Sequence, residues 1–401
     1  MNRKKLVIVT YAFPPVNSIA SRRWSEMLPI LSKEFKIFIF TANGEGILPI
    51  PTNVEEIIRF NCSNISQRNV RTEKSNKNFG KMFIAHLRSG LRTIDSTIFD
   101  FYIKNKEVFA QKLQSINPDL IITSIGPFSA ALFGLYAKNK IRGIKWIVDL
   151  RDSMSLYPYY DKNLIKRYLD KEIDKYIIRK SDFMITVSES LANIFMEFYG
   201  KKCEIIYNGF KDFRHKISPK PDVNKTHKVI YYGGKLYAHQ LKSFDQLCNT
   251  LEEFKNSYKL KMRIFDTKYR QLISDKLKNF SFTHEVLPPT DDENYSKELI
   301  EADILLLLED IDKKFLIGRG TLTGKLFNYL PFSAPILTIC RNDSDIKSIL
   351  TKVNRGVVCE NEDEITAFLN SDLSIYEGNE QILNYTRENQ ARILTKLLNE
   401  N

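Results

Sequence analysis

The feature that most constrains this chain is a short, continuous apolar run that recurs from one end to the other. In the first half it appears as Lys5–Thr10, Lys36–Thr41, Asp119–Ser124, Lys145–Leu150, Phe183–Ser188 and Cys203–Tyr207. In the second half it returns as Lys228–Tyr232, Leu260–Phe265, Thr283–Leu287, Ile304–Leu308, Pro335–Ile339 and Val357–Cys359. Helical patterns stand between many of these runs: Arg22–Ser32 with Ser21 as its cap, Lys162–Lys180, Glu189–Tyr199, Phe244–Tyr258, Tyr269–Lys278, Asp291–Ala302 and a long one over Gln381–Leu398. An apolar run without alternation suits a strand covered on both faces, as in a parallel sheet. Strand alternating with helix predicts an α/β fold of Rossmann-like units, with any ligand beyond the carboxyl ends of the strands.

The alternation is interrupted once. Residues 211–227 hold two prolines, many charges and little that is apolar, as an interdomain linker should. At 401 residues the chain is long enough for two domains with separate cores. The expected division is residues 1–210, a linker at 211–227, a second domain at 228–376, and a final helical segment at 377–401.

Composition excludes several classes. Cys62, Cys203, Cys248, Cys340 and Cys359 are scattered with no Cys-x-x-Cys, which argues for a reducing compartment and against a zinc site or disulfide frame. With only five His, a His-rich metal centre is not expected either. Leu6–Val9 is too short for an apolar targeting core, and the uncharged stretch Leu120–Ala137 is broken by Ser124-Ile-Gly-Pro127, so no spanning segment is predicted. The net charge of +12 is unevenly placed: residues 1–212 carry 33 Lys/Arg against 21 Asp/Glu, and residues 213–401 carry 27 against 27. The excess points the first half towards an anionic surface or substrate, or is plain solvation. Nucleic-acid binding would rest on this charge alone, and no nucleic-acid partner is expected.

The chemistry-bearing stretch is Gly318-Arg-Gly-Thr-Leu-Thr-Gly-Lys-Leu-Phe-Asn-Tyr-Leu330, which follows the run Ile304–Leu308 and its terminal Glu309 and Asp310. Gly318, Gly320 and Gly324 allow backbone amides close to an anion, and Lys325 adds positive charge, so the loop reads as a diphosphate cradle. A second strand-to-glycine turn, Gly233-Gly234, sets Lys235 where it can meet a phosphate. Each loop alone would equally suit a plain connection. In the first half, Asp149, Arg151 and Asp152 gather at the end of the Lys145–Leu150 run, either as part of a ligand rim or as a structural pair. No Gly-x-Gly-x-x-Gly follows the first strand, so no dinucleotide cofactor is expected. Residues 61–80 read as an exposed polar loop. Phe79–Leu113 mixes aromatic and basic residues, as helices packed on the sheet or as a face for an anionic bilayer.

Taken in order, Phe13-Pro-Pro15 with Arg22-Arg-Trp24, Trp146-Ile-Val-Asp-Leu-Arg-Asp152, Ile185-Thr-Val-Ser-Glu189, Ile206-Tyr-Asn-Gly-Phe210, Tyr231-Tyr-Gly-Gly-Lys-Leu-Tyr237 and Gly324-Lys-Leu-Phe-Asn-Tyr-Leu330 resemble family 4 glycosyltransferases of bacterial surface-polysaccharide assembly. The resemblance spans essentially the whole chain. It implies the GT-B fold, two facing Rossmann-like domains with a last helix crossing back to the first. It also implies a metal-independent, retaining hexosyltransferase-like enzyme, cytoplasmic or peripheral at the inner membrane face. A nucleotide-sugar would be its donor substrate, a glycan or lipid-linked glycan its acceptor and an anionic membrane surface a partner, with no further cofactor. Carried over by residue, Lys235 would meet the leaving diphosphate. Gly233, Gly234, Gly320, Thr321, Leu322, Thr323, Lys325 and Asn328 would hold the donor, with Asn17 and Ser18 closing from the first domain. Asp149, Arg151 and Asp152 would line the sugar and acceptor side.

The chain departs from the family at two Glu positions eight apart, which here are Gly320 and Asn328. A neutral Asn328 makes weaker hydrogen bonds to ribose hydroxyls than a carboxylate does. The alternative function is therefore a catalytically inactive GT-B-like binding or scaffold protein.

Overall fold

The structure is a computed structural model that describes residues 3–62, 97–151, 153, 155–156, 164–212 and 226–400. The expected polar loop at 61–80 from residue 63 onward, the part of Phe79–Leu113 before residue 97, Asp152 and most of the 211–227 linker lie outside the described residues. The chain divides into two compact units: Met1–Tyr207 with Arg387–Asn401, and Asn208–Thr386.

In the first unit, β1 (Lys4–Thr10), β2 (Phe35–Ala42), β3 (Glu56–Phe60), β4 (Leu120–Ile125), β5 (Lys145–Leu150), β6 (Phe183–Thr186) and β7 (Cys203–Ile205) form one sheet in the order β3-β2-β1-β4-β5-β6-β7. Every ladder is parallel. The helices are α1 (Ile19–Glu34), α2 (Lys106–Ile116), α3 (Ala130–Lys140), α4 (Leu164–Lys180) and α5 (Glu189–Tyr199), with a π turn at Ile98–Tyr102. One core lies between α1 and the sheet, where Trp24, Met27, Leu28 and Leu31 meet Leu6, Ile8, Ile37 and Ile39. The last helix, α12 (Arg387–Glu400), adds Ala391, Leu394 and Leu398 to that same core. Its Arg387 pairs with Glu26 of α1 at 2.6 Å.

Strand β3 and two helices of the second unit are not among the elements expected from the sequence. The cap of α1 is Ser18, whose Oγ accepts from Ser21 N–H at 3.1 Å, and not Ser21, which sits in the first turn. The periodic pattern over Gln381–Leu398 is two elements: a 3₁₀ segment at Glu380–Tyr385 and then α12, separated by the extended Thr386.

The second unit repeats the plan. Strands β8 (Lys228–Gly234), β9 (Tyr258–Ile264), β10 (His284–Leu287), β11 (Ile304–Leu308), β12 (Ile336–Ile339) and β13 (Gly356–Cys359) are parallel in the order β10-β9-β8-β11-β12-β13. Helices α6 (Leu241–Glu253), α7 (Thr267–Leu277), α8 (Asp292–Glu301), α9 (Gly324–Tyr329), α10 (Asp345–Val353) and α11 (Glu362–Leu369) connect them. Strand β11 is buried at all five positions, which is why its sequence is apolar throughout. Helix α6 buries Phe244, Leu247, Cys248 and Leu251, three to four residues apart, against Ile230, Leu260 and Leu306.

In each sheet the order reverses at one place, between β1 and β4 and between β8 and β11. A crevice outside the carboxyl ends of the strands opens at such a reversal.

Candidate active site

The reversal in the second unit gathers most of the predicted donor-side residues. Strand β8 runs out through Gly233 and Gly234 into Lys235, and β11 runs out into Glu309 and Asp310. The Lys235 carbonyl is the knot of this rim. It accepts from Tyr232 Oη at 2.7 Å and from Lys325 Nζ, on the first turn of α9, at 2.9 Å. Lys325 Nζ also stands 5.0 Å from the centre of the Tyr232 ring. Burial lowers the Lys325 ammonium below its ordinary range, and the charge of Glu309 opposes that shift. Lys235 itself is exposed, its ammonium 5.9 Å from the Tyr237 ring centre. Two cationic side chains thus share one short backbone segment.

The glycines divide by role. Gly234 has φ +144°, and a Cβ there would stand 3.0 Å from Lys325 Cδ, so this position needs glycine for both its backbone and the lysine's path. Gly233 does not offer a free amide to a ligand, because its N–H donates to Tyr329 Oη at 3.1 Å. Its missing side chain makes room for Tyr295, whose Cε2 would be 2.5 Å from an added Cβ. Behind the rim, Tyr231 Oη donates to Glu298 Oε2 at 2.9 Å. Burial opposes ionisation of Glu298, but hydrogen bonds from Arg263, Lys261 and Tyr231 outweigh it and hold the carboxyl down at about 2.

The glycine-rich loop is a 3₁₀ turn, Leu316–Gly320, running on through Thr321 and Leu322 to Thr323, the residue preceding α9. Buried Arg341 anchors it, donating from Nη1 to Phe315 O at 2.7 Å and pairing with Asp343. Arg319 donates to the same carboxylate at 2.7 Å. Those hydrogen bonds from Arg341 and Arg319 hold Asp343 well below the usual carboxylate range. Leu322 is buried, whereas Thr321 and Asn328 are exposed, Asn328 one turn along α9 from Lys325.

Sequence reasoning noticed Glu309 but gave it no role. Its carboxyl is buried: Oε2 accepts from Gln240 Nε2 at 3.3 Å, and its backbone carbonyl accepts from Ser243 Oγ. Burial pushes the acid up to about 7, against the pull of Lys325, Gln240 and Thr323. The available signal was its place, the first charge after five apolar residues, at the carboxyl end of the central strand.

In the first unit the predicted residues are used differently. Asp149 is fully buried, accepting from Ser124 Oγ at 2.7 Å and pairing with buried Arg23 at 3.4 Å and with Arg151 at 3.9 Å. It anchors the end of β5 rather than presenting a carboxylate, and Arg151 is the member of the pair with exposed surface. Arg23 donates to Ile206 O at 2.8 Å, and burial brings its guanidinium down to about 10. Asn17 Oδ1 accepts from Arg22 Nε at 2.9 Å and Ser18 caps α1, so both are engaged in starting that helix. Of the aromatic and basic stretch, Phe101 and Phe109 pack with Phe60 and Phe133, while Phe99 and Ile103 stand exposed beside Lys104 and Lys106. Among the described residues no three of His, Cys, Asp and Glu form a metal-binding group, and no helix is long and apolar enough to cross a membrane.

Residues 81–212 match the family model described as Glycosyltransferase Family 4. Solved structures of like fold include sucrose-phosphate synthase from Thermosynechococcus elongatus, with TM-score 0.70 and 10% identity over 99% of both chains. They also include the Anabaena protein HepE in complex with UDP and glucose, with TM-score 0.64 and 11% identity over 100% of both chains. A lipopolysaccharide outer core galactosyltransferase, WaaB, aligns with TM-score 0.60 and 14% identity over 99% of both chains. The chain has the GT-B fold, and residues 81–212 are similar to family 4 glycosyltransferases. No curated protein matches the sequence. In this GT-B chain all but the last five residues of the matched segment lie in the first unit, and the paired lysines lie in the second.

Proposed function

We propose that this chain is a metal-independent, retaining glycosyltransferase that moves a sugar from a UDP-sugar to a glycan or lipid-linked glycan acceptor. The observation that carries the reading is the pair of lysines, Lys235 and Lys325, joined through one backbone carbonyl at the strand-order reversal of the second unit. As the glycosidic bond to the diphosphate breaks, negative charge grows on the leaving oxygens. Fixed ammonium groups stabilise that charge without a divalent cation, most strongly where burial has removed competing water. Lys325, half-buried, supplies the oriented charge; exposed Lys235 supplies a mobile one. In a same-face displacement the departing phosphate oxygen takes the acceptor's proton, so no protein base is needed. HepE, solved with UDP, supports the choice of nucleotide.

Arg151, positioned by Asp149, is assigned to the acceptor side. The acceptor's lipid would bring the protein to an anionic membrane surface at the cytoplasmic face, a reading supported by the basic first half and by exposed Phe99 and Ile103 beside Lys104 and Lys106. Anionic vesicles should pellet the protein at low salt and release it at high salt; equal pelleting with neutral vesicles contradicts the electrostatic attraction.

The second reading, an inactive GT-B-like binding protein, is favoured by Asn328 where the family commonly carries Glu. A panel of UDP-, GDP-, dTDP- and CMP-sugars separates the two. Slow hydrolysis of one donor, with faster donor consumption and sugar transfer once acceptor is added, supports the transferase; tight binding with no turnover under any acceptor supports the binding protein.

A further inference from the structure

Glu309 has no part in the mechanism above, yet it is the most confined acidic group on this rim. It is 5% exposed and held by three elements. Its N–H donates to Ile339 O at 3.0 Å at the end of β12, its carbonyl accepts from Ser243 on α6, and Oε2 accepts from Gln240. Its other oxygen, Oε1, is buried without a hydrogen-bond partner among the described residues, and so is Thr323 Oγ1, which influences the carboxyl without reaching hydrogen-bond geometry. The carboxyl is thus held in place, and the charge of Lys325 acts on it there.

We propose that Glu309 is the proton-accepting counter-ion of Lys325, so that capture of a donor diphosphate at this rim is coupled to uptake of one proton. The proposal rests on the reading that Lys325 meets the diphosphate. With Glu309 ionised, it and Lys325 sum to zero charge; with Glu309 protonated, Lys325 confronts the anion alone. An arriving diphosphate disfavours a neighbouring carboxylate, so binding draws a proton onto Glu309.

The groups facing Glu309 leave it as the carboxyl poised near neutrality. Lys325 approaches from α9 and Asp310 follows it in the chain. Tyr232 on β8, Tyr237 three residues past its end, and the Cys340 thiol, after β12, are all pushed up, chiefly by burial, and stay neutral. His239 senses Asp310 and Lys325, and burial lowers it from 6.5. The Glu309 carboxyl at about 7 therefore changes charge within the physiological range.

The probe is UDP-glucose, whose diphosphate diester does not itself titrate near neutrality. Its dissociation constant for the full chain should rise about tenfold between about pH 6 and pH 8, the signature of a single linked proton. Calorimetry at about pH 7 in two buffers of unlike ionisation heat should register proton uptake in the unmodified protein, independently of any variant's folding. Glu309→Gln should bind at about pH 8 as the unmodified protein does at about pH 6, with the slope gone, whereas His239→Gln should keep it. Binding without proton uptake, or a slope unchanged in Glu309→Gln, overturns the coupling and leaves the donor site standing. No UDP-glucose binding at any pH overturns both.

Discussion

Replacing Glu309 with Gln should stabilise the second unit at high pH and leave it unchanged at low pH. The magnitude follows from where the proton sits. The carboxyl titrates at about 7 when folded against an ordinary 4.5. Between those values the folded chain holds a proton that the unfolded chain has released, so stability falls as pH rises through this window. Each pH unit is worth about 1.36 kcal/mol, giving roughly 3 kcal/mol lost by pH 8. A neutral isosteric amide avoids the loss, although Lys325 then forfeits its opposing charge, so a gain of about 1–3 kcal/mol is expected at pH 8 and none near pH 4.5. For a unit of this size each kcal/mol shifts the melting temperature by about 2–4 °C. Differential scanning calorimetry across pH reads the shift. The two tryptophans, Trp24 and Trp146, both lie in the first unit, so a tryptophan-fluorescence melt provides an internal control. A stability difference that does not change with pH, or that appears in the fluorescence melt alone, refutes the reasoning.

Gly233→Ala places a methyl 2.5 Å from Tyr295 Cε2 and 3.0 Å from Tyr231 Cε1, so the second unit should lose about 1–3 kcal/mol while the fluorescence melt stays put. Arg23→Leu strips buried Asp149 and Ile206 O of a partner; the fluorescence melt of the first unit should drop by the equivalent of about 3–5 kcal/mol, and an unchanged melt would contradict the buried pairing. Lys235→Ala should lower turnover by about 10²-fold with little loss of stability, and unaltered turnover would remove that exposed ammonium from the mechanism.

The strands were readable because their residues report burial directly: Ile304–Leu308 has no face left for water, and its bounds came straight from composition. Strand β3 was hidden because Glu55, Glu56 and Arg59 interrupt the apolar signal at the sheet's edge, where only one neighbour, β2, needs satisfying. Helix α10 carries a stripe at helical spacing, Ile346, Ile349, Leu350 and Val353, although the sequence expectations include no helix there. Spacing alone did not show which glycine serves a ligand and which serves a neighbouring ring. Gly233 looked like a phosphate contact, yet it makes space for Tyr295. Asp149 and Glu309 raise the same difficulty. Both follow from strand ends, but whether a carboxylate faces solvent or is sealed among Ser124, Arg23 and Arg151 depends on packing between elements far apart in the chain.

The most direct test of the donor site is a calorimetric titration of UDP-glucose into the unmodified chain and into Lys325→Ala at about pH 6. The account predicts measurable binding to the first, and an affinity about 10–100-fold lower in the second with its melting temperature preserved, as loss of a charge-assisted contact requires. Equal affinity in the two proteins would contradict the assignment of the diphosphate to this rim.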